Sequence, residues 1–198
     1  VSGFNSFQAM SDAPCKPYSK NRSGVTLGEA AAAVLVTSDP TNAKVKILGD
    51  GSINDANHIS GPSRTGEGLF RSVASAMKEA KMIPEQIDYI SAHGTATPFN
   101  DEMESIAFSR SGLSAAPLNS LKGFYGHTLG ASGLLETVIG IESVLRNQLF
   151  VSLGYDELGV SEPINIIEEN RYKPLIRFLK TASGFGGCNT AVIFEKMN

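Results

Sequence analysis

Apolar positions along this chain switch between two periods, and the switches delimit its elements. After a Gly-rich approach, Leu69, Val73, Ala76, Met77 and Ala80 recur at helical spacing, so Ser63 to Ala80 is an amphipathic helix. Gly130 to Arg146 is the most apolar helix, and Asp101 to Ser109 is another, with Asn100 or Asp101 as its cap and acidic residues in its first turn. Ala31 to Thr37 is a continuous apolar run of strand length, the pattern of a strand buried on both faces. Val45 to Asp50 is a further strand, reached through the turn signals Asp39-Pro40 and Thr41-Asn42. Ile83-Pro84-Glu85-Gln86 separates the first helix from a strand over Ile87 to Ala92, which ends at His93. A short strand over Pro117 to Leu121 ends at Lys122. Ile176 to Ala182 and Thr190 to Glu195 flank a Gly-rich loop at Phe185 as two antiparallel strands. Residues 1 to 28, rich in Ser, Pro, Lys and Gly, read as a short helical or irregular lead followed by loop.

This alternation predicts an α/β protein without internal repeats. Histidine-containing motifs follow two of the strands, and ligand groups in parallel α/β sheets gather at the C-terminal ends of strands. A shared cleft is therefore expected.

Composition narrows the function classes. With 41% hydrophobic residues and a formal charge of -3, the chain has material for a core and no basic excess for phosphates, which argues against nucleic acid as a partner. No apolar run approaches the ~20 residues of a membrane span. The start Val-Ser-Gly-Phe carries neither a charged leader region nor an initiator Met, which points to a processed or shortened product. Cys15 and Cys188 are the two cysteines, so no disulfide framework is implied and a reducing cytoplasm is expected. No His-x-x-x-His or Cys-x-x-Cys spacing supports a metal site, and none is expected; His58 reads as an ordinary polar residue.

Three motifs carry the chemistry. His93-Gly94-Thr95-Ala96-Thr97-Pro98, Lys122-Gly123-Phe124-Tyr125-Gly126-His127 and Ser183-Gly184-Phe185-Gly186-Gly187-Cys188-Asn189 together resemble the distal active-site motifs of the β-ketoacyl-acyl-carrier-protein synthases. Arg22-Ser23-Gly24-Val25-Thr26-Leu27-Gly28-Glu29-Ala30-Ala31 resembles a further segment of that family, where Gly often stands in place of Ala30. The family's nucleophile, a cysteine in a Ser-rich turn upstream of that segment, has no counterpart after Val1.

The resemblance implies a thiolase-like fold, in which two similar halves stack as α-β-α-β-α layers, with a mixed sheet in the half seen here. Residues 1–40 would be the tail end of the N-terminal half, loop plus last strand, and 41–198 the C-terminal half. The strand up to Thr37 would then lack its sheet neighbours and expose apolar surface. It implies decarboxylative Claisen condensation of malonyl-acyl carrier protein with an acyl thioester, in fatty-acid or polyketide biosynthesis. No cofactor is implied, because substrates ride on the phosphopantetheine of acyl carrier protein. The implied partners are that carrier, the missing N-terminal half and, at full length, a second subunit; the chain alone would be inactive.

Neutral histidines can donate ring N–H groups to a developing enolate oxygen, and the resemblance assigns that role to His93 and His127. It assigns Thr95 and Thr97 to the phosphopantetheine arm. Lys122 would supply positive charge while held by Glu136, and Asp101 would support the site. Phe185 would gate the acyl site, its backbone N–H holding the thioester oxygen, while Gly184 and Gly186 permit the tight loop. Ser183 stands where many members have a second Phe, which would reshape the acyl pocket. Cys188 is expected to be a packing residue and Cys15 inert. A contrasting reading is a non-catalytic ketosynthase-like subunit of chain-length-factor type in a heterodimer, but such subunits usually lose the histidines. A thiolase-type degradative enzyme would carry a Cys-x-Gly motif near the C-terminus, absent at Gly187-Cys188-Asn189.

Overall fold

Antiparallel pairing at one edge and parallel pairing at the other organise the computed structural model, which describes residues 1–197. A one-turn helix α1 (Ser2–Ser6) leads, followed by irregular chain to β1 (Val45–Asn54). Helix α2 (Glu67–Ala80) precedes β2 (Tyr89–Ser91), α3 (Pro98–Arg110) and β3 (Pro117–Asn119). A single turn, α4 (Lys122–Tyr125), leads to α5 (Ser132–Arg146) and β4 (Gln148–Leu149). The short β5 (Asn165–Ile166) and β6 (Arg171–Tyr172) precede the closing hairpin of β7 (Arg177–Gly184) and β8 (Cys188–Lys196).

The main sheet has the order β1-β8-β7-β2-β3-β5. β1, β8 and β7 pair antiparallel, whereas β7, β2, β3 and β5 run parallel. This is the mixed α/β sheet expected from the sequence.

Two apolar layers cover it. On one face Leu69, Val73, Ala76 and Met77 of α2 and Met103, Ala107 and Phe108 of α3 pack with Ile90, Leu118, Leu179 and Ile193. On the other, Val144 of α5 packs with Tyr89, Phe178, Phe194 and Leu149. The rings of Phe178 and Phe194 stack with centroids 4.8 Å apart, adding an aromatic contribution to area burial. Each fully buried Leu, Ile or Phe contributes about 1.5–3 kcal/mol, so the central strands are fixed by burial on both faces.

Three expectations need correction. Ala31 to Thr37 has no regular secondary structure and no strand partner, with Leu35 90% and Val36 74% exposed, and is not a buried strand. A strand exists only through ladder partners, and among the described residues none reaches this run. Helix α3 starts at Pro98 with Thr97 as N-cap rather than at Asn100 or Asp101, because Pro is preorganised for the first helical position. The helix expected from Ser63 begins at Glu67, after Gly66 turns left-handed at φ 63°. The hairpin strands match expectation: β7 starts one residue later than expected and runs two further, and β8 is lengthened at both ends.

The lead segment is pinned to the sheet domain. Tyr18 lies in the larger core cluster, and its backbone N–H donates to Asp101 at 2.7 Å. Leu27 forms a parallel bridge with His127, so the Arg22–Ala31 motif touches the second histidine directly.

Candidate active site

Strand β2 ends at Ser91, and the chain turns at once into His93. Gly94 has φ +43°, and a Cβ there would lie 2.4 Å from the Cβ of Ser120. That close approach requires glycine. Ala96 is also left-handed, at φ 63°, a conformation costly for a side-chain-bearing residue.

Two buried carboxylates of α3 hold this strained loop. Glu104 accepts the backbone N–H of His93 at 2.8 Å and of Gly94 at 2.6 Å. Asp101 accepts those of Thr95 at 3.0 Å and Ala96 at 3.2 Å. Hydrogen bonds to a carboxylate are about twice as strong as those to a neutral acceptor. Burial and the neighbouring Glu104 charge push the Asp101 carboxyl up to about 7, against the pull of the Tyr18 N–H and Arg22.

The second histidine arrives from β3 through α4. Its backbone N–H donates to Thr26 O at 2.7 Å, and its carbonyl accepts from Gly28 N at 3.0 Å. His93 and His127 meet edge to face, ring centroids 5.1 Å apart and planes at 84°.

Hydrogen bonding fixes both tautomers. Leu129 N–H donates to His127 Nδ1 at 3.1 Å, so the ring proton is on Nε2. The Lys122 ammonium lies 3.3 Å from His93 Nδ1 and can only donate, which again leaves the proton on Nε2. Burial and the Lys122 charge lower both imidazoles: His93 falls well below its ordinary value and His127 to about 4. Both rings are neutral donors at neutral pH.

Lys122 is fully buried and bound to Glu136 at 2.5 Å and to His93 O at 2.5 Å. The other Glu136 oxygen binds Lys180 at 2.6 Å. Burial alone would raise the Glu136 carboxyl, but Lys180 and Lys122 outweigh it and hold it below its ordinary value. Ser132 Oγ donates a further bond to Glu136 at 2.9 Å.

Both histidines open onto a cleft of about 760 Å³ that Thr95, Thr97, Ser183, Gly184 and Phe185 also line. Thr95 and Thr97 share a hydroxyl contact of 2.8 Å. Phe185 is exposed, its ring 5.6 Å from Phe4 and 5.8 Å from Phe7 of the lead segment. Gly186 N–H donates to Ile59 O at 2.6 Å, tying the Gly-rich loop to the chain after β1. Ser183 Oγ bonds Asn189 Oδ1 at 2.8 Å. Cys188 is exposed on the cleft wall, contrary to the packing role expected of it, because its side chain sits where β8 leaves the loop. Cys15 is buried beneath Lys122, its thiol 3.3 Å from that residue's carbonyl. Ala30 is exposed, so its methyl tightens no packing.

All ten sequence-nominated site residues thus fall on or directly behind this cleft. Glu104 and Lys180 were not among them. Each is a charged residue among buried neighbours, on α3 and β7 respectively, and the cost of burying an unpaired charge is the one sequence signal that points to them.

Comparison with known proteins agrees with this geometry. The family profile described as Beta-ketoacyl synthase, C-terminal domain, matches residues 45–155. A 3-oxoacyl-[acyl-carrier-protein] synthase 2 from Coxiella burnetii is 32% identical over 213 residues, covering 100% of this chain and 51% of the relative. A β-ketoacyl synthase from Burkholderia phymatum superposes with TM-score 0.87 at 28% identity, covering 100% of this chain and 52% of that one. A ketosynthase from Xenorhabdus doucetiae, solved in complex with its chain length factor, gives TM-score 0.84 at 30% identity, covering 100% of this chain and 50% of that one. The chain spans about half the length of these relatives. With a histidine pair, a lysine–glutamate pair and a Gly-rich loop arranged on a thiolase-like sheet, and a family match over more than half of the chain, the chain belongs to the β-ketoacyl synthases, as the C-terminal half of one.

Proposed function

We propose that this chain supplies the decarboxylation machinery of a β-ketoacyl-acyl-carrier-protein synthase. The observation that carries the reading is the His93–His127 pair, 5.1 Å apart and each with its Nε2–H free of the bonds that occupy Nδ1. The C–C bond to the malonyl carboxylate breaks, carbon dioxide leaves, and the electron pair moves into the thioester as an enolate. Two neutral N–H donors and the nearby Lys122 charge stabilise the enolate oxygen, an oxyanion-hole effect worth about 2.7–4 kcal/mol for one donor in a comparable site. The enolate carbon then attacks the acyl thioester carbonyl, a C–C bond forms, and the thiolate departs.

The thiolate belongs to a cysteine on the other half of the enzyme. Cys15 is buried and Cys188 stands exposed without an activating base, so neither suits the role. The chain alone is therefore inactive. Thr95 and Thr97 receive the phosphopantetheine arm of acyl carrier protein, and Phe185 gates the acyl channel from its exposed loop. The working enzyme is a cytoplasmic dimer without a bound cofactor. Among the described residues no helix is long and apolar enough to cross a membrane.

The test is malonyl-carrier decarboxylation by the full-length protein carrying His93→Ala or His127→Ala. Loss of carbon dioxide release by at least ~10²-fold with an unchanged fold is expected; retained release sinks the assignment. The chain-length-factor reading predicts no decarboxylation by the unaltered protein, and the retained histidine pair speaks against it.

A further inference from the structure

Lys180 is the one charged residue within the buried stretch Phe178–Thr181 of β7, and the proposed mechanism does not use it. The residue is 4% exposed and its side chain turns to the α5 face of the sheet. Nζ meets only acceptors: Glu136 Oε2 at 2.6 Å, Thr181 O at 2.7 Å, Ser91 O at 3.1 Å and Ala92 O at 3.2 Å. Burial lowers its pKa from the ordinary lysine value, yet a neutral amine would point its lone pair at one of these oxygens. The ammonium form is the one this cage fits.

The consequence lies in how Glu136 is shared. One carboxylate divides its oxygens between two ammonium groups, Oε1 to Lys122 and Oε2 to Lys180. The buried cluster keeps one positive charge in excess, and Lys122 is left with only one carboxylate oxygen. Its remaining protons then go to His93 O and His93 Nδ1. Lys180 also clamps the carbonyls of Ser91 and Ala92, the two residues that deliver His93.

We propose that Lys180 is a positioning residue for decarboxylation: by occupying Glu136 Oε2 and bracing the end of β2, it directs the Lys122 ammonium onto His93 Nδ1 and keeps the histidine pair neutral with Nε2–H toward the cleft. The inference rests on the function proposed above for that pair. The charged and titratable groups around the histidines are Lys122 from α4, Glu136 from α5, Asp101 and Glu104 from α3, and Lys180 from β7. Asp55 and His58 line the cleft from the segment after β1. Both lysine charges disfavour protonation of the rings, and Glu136 favours it for His127.

The test follows the histidines themselves, so it is independent of whether the protein condenses anything. In the full-length protein labelled with 15N-histidine, long-range proton–nitrogen spectra report tautomer and titration of each ring. The unaltered protein shows both rings as Nε2–H and titrating below 6.5; a midpoint for either at or above the ordinary ~6.5 overturns the proposal, whatever the variants do. Lys180→Met raises both midpoints by on the order of half to one unit and mixes the His93 tautomers, while Lys180→Arg restores them. The acid limb of decarboxylation moves to higher pH in the same order. A natively folded Lys180→Met protein with unchanged midpoints and tautomers overturns the proposal, as does a shift that Lys180→Arg fails to rescue, which marks Lys180 as structural only. Failure of the His93→Ala decarboxylation test with the spectra as expected would sink the function, and with it the link to decarboxylation, and leave only the orientation of the histidine pair by Lys180 standing.

Discussion

The carboxylate of Glu104 sits behind His93 and accepts its backbone N–H at 2.8 Å, while its other oxygen accepts the N–H of Gly94 at 2.6 Å. One fully buried side chain on α3 therefore sets the direction in which the first histidine leaves β2. Tyr18 OH at 2.9 Å, Asn100 Nδ2 at 2.9 Å and Thr181 Oγ1 at 3.3 Å complete its shell. Lead segment, helix, histidine loop and β7 thus converge on one acceptor. Removing it by Glu104→Ala leaves several buried donors unpaired and should cost about 3–5 kcal/mol, measured by urea unfolding. Glu104→Gln, which keeps the shape but can accept at only one oxygen, should lose less. Equal stability of Glu104→Ala and the unaltered chain would show that the loop is held by something else.

The histidine loop depends equally on its backbone. Gly94→Ala places a methyl 2.4 Å from Ser120 Cβ at φ +43°. Overpacking alone costs about 1–3 kcal/mol, and the left-handed backbone adds about 1 more. Thermal unfolding should show the loss, with decarboxylation falling further because His93 is displaced.

Much of the fold was legible because burial and periodicity agree in it. Leu69, Val73 and Met77 repeat every four residues and form the buried stripe of α2 against the sheet. Phe178 and Leu179 lie on opposite faces of β7, as a strand buried on both sides requires. Ala31 to Thr37 has the same apolar character and forms no strand, because local pattern encodes the wish to be buried but not the presence of a neighbour to pair with. The candidate site divides the same way. His93, Lys122 and His127 are marked by their flanking residues, whereas Glu104 and Lys180 act through contacts across 11 and 44 positions of chain, to His93 and Glu136 respectively. Such distances carry no local signature; only the cost of burying an unpaired charge points to them.

Proton linkage isolates His127. In the unfolded chain it titrates at about 6.5; in the folded protein, burial and Lys122 bring it to about 4. Between those values the unfolded state holds more protons, so the contribution of His127 to stability is present above about 6.5 and declines as pH falls toward 4. Asp101, raised to about 7, acts in the opposite sense in both the unaltered protein and a His127 variant, and masks part of this in either profile taken singly. The difference between that protein and His127→Gln cancels the Asp101 effect. It should shrink steadily on acidification from pH 7 to pH 4, read from urea midpoints at several pH values. A difference independent of pH would place His127 in an ordinary solvated state.

The two threonines of the His93 loop offer a kinetic signature. Thr95 is buried and Thr97 half-buried, their hydroxyls 2.8 Å apart on the cleft wall. If they bind the phosphopantetheine arm, Thr97→Val removes one hydrogen bond made equally in ground and transition states. KM for the malonyl carrier should rise about 3–10-fold with kcat nearly unchanged, matching ~0.5–1.5 kcal/mol per bond. A fall in kcat at constant KM would move Thr97 from binding into the chemical step.

The exposed run around Leu35 makes the last prediction, and it concerns assembly. Val34, Leu35 and Val36 are 45%, 90% and 74% exposed in consecutive positions on a segment without regular structure or ladder partners. Apolar chain whose N–H and C=O groups have no ladder partner is a template for pairing with another chain. At micromolar to millimolar concentration the 198-residue chain should therefore associate, seen by sedimentation as a mass that grows with concentration. Leu35→Lys together with Val36→Glu should return it toward a monomer, because a charge on each face of the segment opposes burial on both sides. Stability should change by less than about 0.5 kcal/mol, since these side chains leave the core untouched. Association that persists unchanged in the double variant would assign the contact to another surface, with the exposed ring of Phe185 and its neighbours Phe4 and Phe7 the next place to substitute.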